Sequence, residues 1–457
     1  MKVRSKLLLG ILVSQLAFSG QVFSASDKAI TDKDAAEINE LSEPEMSSSE
    51  LVDEAIDAYF DKRSISEGEI GSGGKVYYRA VMRVSAKPSS PSWVKSRQIA
   101  FEKALLKAQS EYVFNNFARN TVKTEQTISE DNSDNAYEFD NKKVSRSQIG
   151  ALYDKAMALG QARLNELLDD AGVDPAEFEA IPEAQRKNIF TNSYLTTSIK
   201  KAIGESSGLL PVRTFEGKDG NGNHSIGVVM IRSDKLQQLA SDMSSQREPF
   251  LTARKGKPLS SYIDFPGEQL ATQFGVRVVF NEQGRPQVLS YGQWGFGYKG
   301  KNEARLDRER THSADKADAV AVDALTIFMN SRLAYENEST SGEIIENFIE
   351  KQGDEVTEED VTTIIDKMNQ KIKLTASARL SGTRIVKRWK YKHPYGHEII
   401  GRIRMWSMDG VEQSKTITSF KPKTKSNTAS TESGKVAQSS TAGIQSGLNF
   451  DEEEEAF

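Results

Sequence analysis

The stretch Trp93-Val94-Lys95-Ser96-Arg97-Gln98-Ile99-Ala100-Phe101-Glu102-Lys103-Ala104-Leu105-Leu106-Lys107-Ala108 decides the fold. Ala100, Ala104 and Ala108 recur at i+4, so on a helix they form one row. A row of methyl groups lets a helix lie close on a sheet, and Leu105, Tyr112 and Val113 widen its apolar face. The spacing predicts a helix from about Lys95 to Ala118. Upstream, Pro88 and Pro91 interrupt the chain. Before them Lys75 to Ala86 alternates, with Val76, Tyr78, Ala80, Met82 and Val84 on one face of a strand.

Working outward, residues 119–147 are polar and read as a loop. A helix from Ser147 to Ala171 ends at Gly172. Leu209 to Phe215 and Ser225 to Arg232 read as a hairpin around the Gly- and Asn-rich stretch Gly217–Asn223. Residues 233–265 read as a connector punctuated by Pro249 and Pro258. The elements then recur. Phe274 to Asn281 and Pro286 to Phe296 form a hairpin, and Trp294 lies ahead of a helix from about Ser313 to Tyr335. Ala314, Ala317, Ala321, Ala324 and Phe328 form an unbroken helical stripe there. Helices around Glu343–Lys351 and Thr357–Lys371 follow, and Leu374–Tyr391 with Ile399–Trp406 makes the closing hairpin. The expectation is an α+β chain: two related domains of Ala-striped helices packed on small antiparallel sheets, with disordered acidic ends. Its parts are a signal peptide (1–24), an acidic segment (25–70), a first domain (71–232), a connector (233–265), a second domain (266–408) and a low-complexity tail (409–457). Within the acidic segment, Leu51 to Phe60 has the spacing of a short amphipathic helix, suited to docking on its own domain or on a partner.

The chain has 457 residues, a formal net charge of −5 and no cysteine. Without thiols there is no disulfide, zinc–thiolate site, iron–sulfur cluster or lipid on cysteine. The four histidines are His224, His312, His393 and His397. Lys2, Arg4 and Lys6 precede an apolar run from Leu7 to Phe18, and Val22-Phe23-Ser24 offers a cleavage site. This is a secretory signal pattern, too short to span a bilayer comfortably. The expected compartment is the periplasm, with secretion as the second choice. Acidic ends flank a mildly basic middle.

Trp93, Arg97 and the row Ala100, Ala104 and Ala108 resemble the helix start of LPP20-type envelope proteins and the flagellar assembly protein T. Gly292 to Gly300, followed by Arg310 and the second Ala stripe, resembles it again. The hairpin Gly382–Trp389 and Gly396–Trp406 is similar to their closing strands. The resemblance implies helices packed on small sheets and a non-enzymatic role in an envelope assembly. It carries no catalytic residues, and this chain lacks the lipidated cysteine of the lipoproteins.

Three local strings invite chemistry. Gly295-x-Gly297-x2-Gly300 matches a dinucleotide fingerprint, but the predicted helix begins too far downstream for its amides to hold a pyrophosphate. Asp219-x-Asn221-x-Asn223 opens like a calcium loop, yet His224 and Met230 stand where Gly and a bidentate acid are needed. His393 and His397 are four apart, but Pro394 and Gly396 forbid a helix and no acid completes a metal site. No cofactor or metal is expected. No Asp or Glu stands in an apolar context that would raise its pKa toward catalysis.

The last hairpin is the most informative. Arg384, Arg388, Lys390 and Lys392 share one parity, and Arg402 and Arg404 share one on the returning strand. These six are the candidate docking face for acidic surfaces. The acidic run Asp451, Glu452, Glu453, Glu454 and Glu455 is a candidate occupant within the same chain. The expected function is that of an exported, non-enzymatic part of an envelope assembly. Its partners would be envelope proteins or its own copies, with no nucleotide and at most peripheral membrane contact; export argues against nucleic acid. An accessory of conjugation or secretion machinery and an envelope-polymer hydrolase are the alternatives.

Overall fold

Two rows of alanine seat two long helices on two sheets. The computed structural model describes residues 46–129, 144–252, 255–336, 338–349, 353–376, 381–419 and 445–446. The expected signal peptide, the acidic segment as far as residue 45 and the run 451–455 lie outside the described residues.

Helix α1 (Ser48–Arg63) opens with a capping box: the Ser47 side chain accepts from the Glu50 amide, and the Glu50 carboxylate accepts from the Ser47 amide. Val52, Ile56 and Phe60 are buried, so this helix docks on its own sheet. Strand β1 (Val76–Arg83) buries Val76, Tyr78 and Ala80 in alternation. Helix α2 (Trp93–Ser129) does not stop at Ala118 but runs through the start of the expected loop. Thr121, Thr124 and Thr127 return their hydroxyls to carbonyls one turn back, which keeps a polar stretch helical. The single helix expected over Ser147–Ala171 is two, α3 (Arg146–Leu159) and α4 (Gln161–Asp170), broken at Gly160 with φ 112°.

Helix α5 (Glu183–Glu205) leads to the hairpin of β2 (Leu210–Lys218) and β3 (His224–Arg232). The expected connector opens as helix α6 (Asp234–Ser244). Ser233 caps it, and Leu236, Leu239, Ala240 and Met243 are buried. Then come β4 (Gly275–Phe280), β5 (Pro286–Phe296), α7 (Glu303–Glu336), α8 (Glu338–Ile349) and α9 (Glu358–Ala376). Strands β6 (Thr383–Lys392) and β7 (Glu398–Trp406) close the second sheet. Helix α10 (Met408–Ser419) and the short strand β8 (Gln445–Ser446) lie in the stretch expected to be a structureless tail.

The sheets run β1-β3-β2-β8 and β4-β5-β7-β6, and all their pairings are antiparallel. The fold is α+β. Helix α1 covers one face of the first sheet, where a Cβ on Gly227 would meet Val52 and Ile56. The other face, with Tyr78, Ile226 and Val228, packs with Ala104 and Ala108 of α2. On the second sheet the Ala stripe of α7 lies directly on β5. Ser290 donates to the Ala321 carbonyl at 2.8 Å, and a Cβ on Gly292 would fall 1.9 Å from the Ala317 oxygen. Only glycine permits that approach. Segments 71–232 and 266–408 each supply most of one sheet, yet both hydrophobic cores draw on both segments. Val144 also pairs with Val356 across them. The residues from Met46 onward cluster as one unit.

Candidate functional site

The six basic residues of the last hairpin do not form one face. Arg384, Arg388, Lys390 and Lys392 are exposed on β6, the outer strand of the second sheet. The register slips between Ile385 and Lys387, so Arg384 lies opposite Met405 while Arg388 lies opposite Arg402. A bulge shifts parity, and Arg384 therefore belongs to the other face from Arg388, Lys390 and Lys392. Arg404 is taken up by α7: Nε donates to Asp318 Oδ1 at 2.8 Å and Nη2 to Oδ2 at 2.9 Å. Arg402 is half-buried, and burial followed by the charge of Arg388 lowers its pKa. Parity shows which side chains share a face. It does not show that a helix lies over part of that face.

The buried constellation centres on Trp93, the first residue of α2 and 1% exposed. Its ring centroid lies 5.3 Å from that of His224, 4.6 Å from His393, 5.9 Å from Tyr395 and 5.4 Å from His397. The Arg97 guanidinium, one turn along α2, stands 4.9 Å from the indole. Arg97 grips Glu216 of β2 with Nε to Oε1 at 2.9 Å and Nη2 to Oε2, and Nη2 also donates to the Ala271 carbonyl. His224 Nδ1 is 3.1 Å from the same Glu216 oxygen. Burial pushes the Glu216 carboxyl up, but the Arg97 charge and the hydrogen bond from His224 outweigh it and hold the pKa at about 2. Burial, then the Arg97 charge, lowers His393 to about 4. It therefore stacks as a neutral ring at pH 7.

Turn chemistry delivers the histidines. His224 follows the β2–β3 turn, where Asp219 accepts from the Asn223 amide at 2.8 Å and from its side chain at 2.9 Å. The aspartate that opens the calcium-like string is thus committed to closing the hairpin. His393 and His397 flank the β6–β7 turn, with the His393 amide bonded to the His397 carbonyl and Gly396 at φ 87°. His397 Nε2 donates to the Pro88 carbonyl at 2.7 Å. One hairpin from each sheet therefore clasps the same tryptophan.

Gly295 and Gly297 serve this joint. A Cβ on Gly295 would lie 2.7 Å from the Glu398 oxygen and 3.0 Å from Val94, and one on Gly297 would lie 2.7 Å from Pro91. Helix α7 begins at Glu303, closer than expected, but β5 is antiparallel to both neighbours, so the dinucleotide context is absent. Among the described residues, no group of three or more His, Asp or Glu is placed to hold a metal ion. His312 is exposed on α7.

Among the described residues, four carboxyls break the expectation that none is raised: burial lifts Asp53, Glu67 and Asp323, and Glu111 furthest. Burial, then the charges of Glu67 and Glu358, lifts Glu111 of α2 to about 7. The sequence marks this poorly, because those acids come from distant positions. The Trp93 joint was equally hard to see, although its signal exists: three of the four histidines stand at the ends of two turns.

Comparison with known proteins adds little about chemistry. Residues 149–245, from α3 through α6, match the model of a domain of unknown function (DUF6844). No curated protein matches the chain. The crystal structure of the hypothetical protein FTT1539c from Francisella tularensis is similar at 25% identity, over 80% of this chain and 92% of that one, with a TM-score of 0.46.

Proposed function

We propose that the chain is an exported, non-enzymatic structural or accessory component of a bacterial cell-envelope assembly, of the flagellar basal-body-associated type, acting through protein–protein contacts. The observation that carries this is the outer strand β6, where Arg384, Arg388, Lys390 and Lys392 stand exposed. An outer strand leaves backbone donors and acceptors along one side, and cationic side chains select which surfaces meet it. The signal pattern at residues 1–24 supports export to the periplasm, and no helix among the described residues is long and apolar enough to cross a membrane. The partners are acidic surfaces of envelope proteins or further copies of this chain. In-cell cross-linking, followed by pull-down and mass spectrometry, tests the proposal. Flagellar components are expected. Conjugation or secretion components would move the chain to those machines, and recovery of the chain alone would overturn the assembly role.

A second reading, hydrolysis of an envelope polymer, is favoured by the near-neutral Glu111. It requires that Glu111→Gln abolish turnover of peptidoglycan fragments without altering the fold.

A further inference from the structure

The outer edge of β2 is occupied, among the described residues, by two residues only. Gln445 lies opposite Glu216 and Ser446 opposite Phe215, antiparallel. Around them the sequence alternates: Ile444, Ser446, Leu448 and Phe450 have one parity, and Gln445, Gly447 and Asn449 the other. That is the pattern of a half-buried strand. Residues directly opposed in a sheet share a face. Phe215 faces α1, with its ring 5.9 Å from that of Tyr59. An antiparallel strand continued in this register would turn its apolar parity to the α1 side.

Helix α1 offers a matching flank there: Leu51, Ala55, Tyr59 and Arg63, four apart. Leu51 lies beside Gly217, Tyr59 beside Phe215, and the Arg63 guanidinium 4.9 Å from the Tyr59 ring. Arg213 stands 5.9 Å from the same ring. Continued in the same register beyond Ser446, an antiparallel strand would run from Phe215 toward Arg213, the direction in which α1 runs. Its order is apolar residues, then the acids 451–455. The order along α1 is apolar residues, then Lys62 and Arg63.

We propose that residues 444–457 form an intramolecular strap. Residues 444–450 extend the strand along β2, Leu448 and Phe450 cover the Ala55–Tyr59 flank, and Asp451–Glu455 pair with Lys62, Arg63 and Arg213. The occupant is this chain's own C-terminus, tethered through residues 420–444 at an effective concentration of order mM. The strap caps a sheet edge that is otherwise open to strand addition. It also places the acidic run on the first sheet and not on the basic strand β6. The inference does not depend on the assembly role proposed above.

The full mature chain with a photo-reactive phenylalanine in place of Phe450 tests it. Cross-links at monomer mass to α1 or β2 are expected; cross-links to β6 or between two chains would overturn the strap. A second arm uses a chain ending at Gly443 and a fluorescent peptide of residues 443–457. The peptide should bind the shortened chain in a salt-sensitive way, and the intact chain about 100-fold more weakly because the tether competes. A peptide carrying Leu448→Asp should lose binding. Equal binding to both chains, or none to a shortened chain with native circular dichroism, would contradict the strap.

Discussion

Arg97 and Arg310 stand near the starts of the two long helices, and each forks onto a glutamate of the sheet beneath it. Their surroundings differ. The Arg97 and Glu216 side chains are 4% and 11% exposed, under Trp93 and the histidines, whereas Arg310 and Glu398 are 42% and 18% exposed. The same pairing is thus buried beneath the joint in one place and decorates a helix start in the other. A buried pair is expensive to break because the surviving charge is stranded, while water replaces an exposed partner at little cost.

The largest effect should follow from removing one member of the buried pair. Glu216→Gln is expected to cost about 3–5 kcal/mol in urea unfolding, because Arg97 is left desolvated. Glu398→Gln should change the midpoint far less, and equal costs would break the comparison. Trp93→Ala is expected to cost a similar amount, about 3–5 kcal/mol, for the lost ring and the cavity left behind. Its half-buried counterpart Trp294 should matter less.

The joint also sets a pH dependence. His393 titrates near 4 in the fold against an ordinary 6.5, so the unfolded chain binds the extra proton first. That contribution to stability is complete above pH 6.5 and is lost as pH falls toward 4. Glu216, held at about 2 against an ordinary 4.5, adds a further loss between pH 4.5 and 2. His393→Phe should flatten the unfolding midpoint between pH 6.5 and 4; an unchanged slope would place the titration elsewhere.

The smallest expected effect lies on the long helices themselves. Glu111 of α2 is raised to about 7, and burial also raises Asp323 of α7, opposed by Lys373. A carboxyl with a raised pKa stabilises the fold fully below its ordinary value and less as pH rises through the folded one. Glu111→Gln should therefore raise the melting temperature at pH 8 more than Asp323→Asn does. Equal shifts would show that the two carboxyls are buried alike, and the reverse ranking would contradict the comparison.

The Ala rows at 100, 104 and 108 and at 314–324 were legible because i+4 spacing is a local property of the chain. So were the alternation of β1 and the turns at Asp219–Asn223 and His393–His397. The break at Gly160 and the continuation of α2 through its threonines were less so, since glycine and threonine are compatible with more than one backbone. The site was hardest. The meeting of two hairpin turns at Trp93 depends on how two sheets pack, and the splitting of the six basic residues depends on one bulge and one overlying helix. The strand-like alternation of residues 444–450 was present but hidden by the composition around it.

The most direct test of the account compares partner recovery by the wild-type chain and by Arg388→Glu/Lys390→Glu, after in-cell cross-linking and low-salt pull-down. Both residues are exposed on β6, so the melting temperature should hold. The account predicts that discrete envelope partners are recovered with the wild-type chain and lost with the variant. Unchanged recovery, or a wild-type chain recovered alone as a monomer, would contradict it.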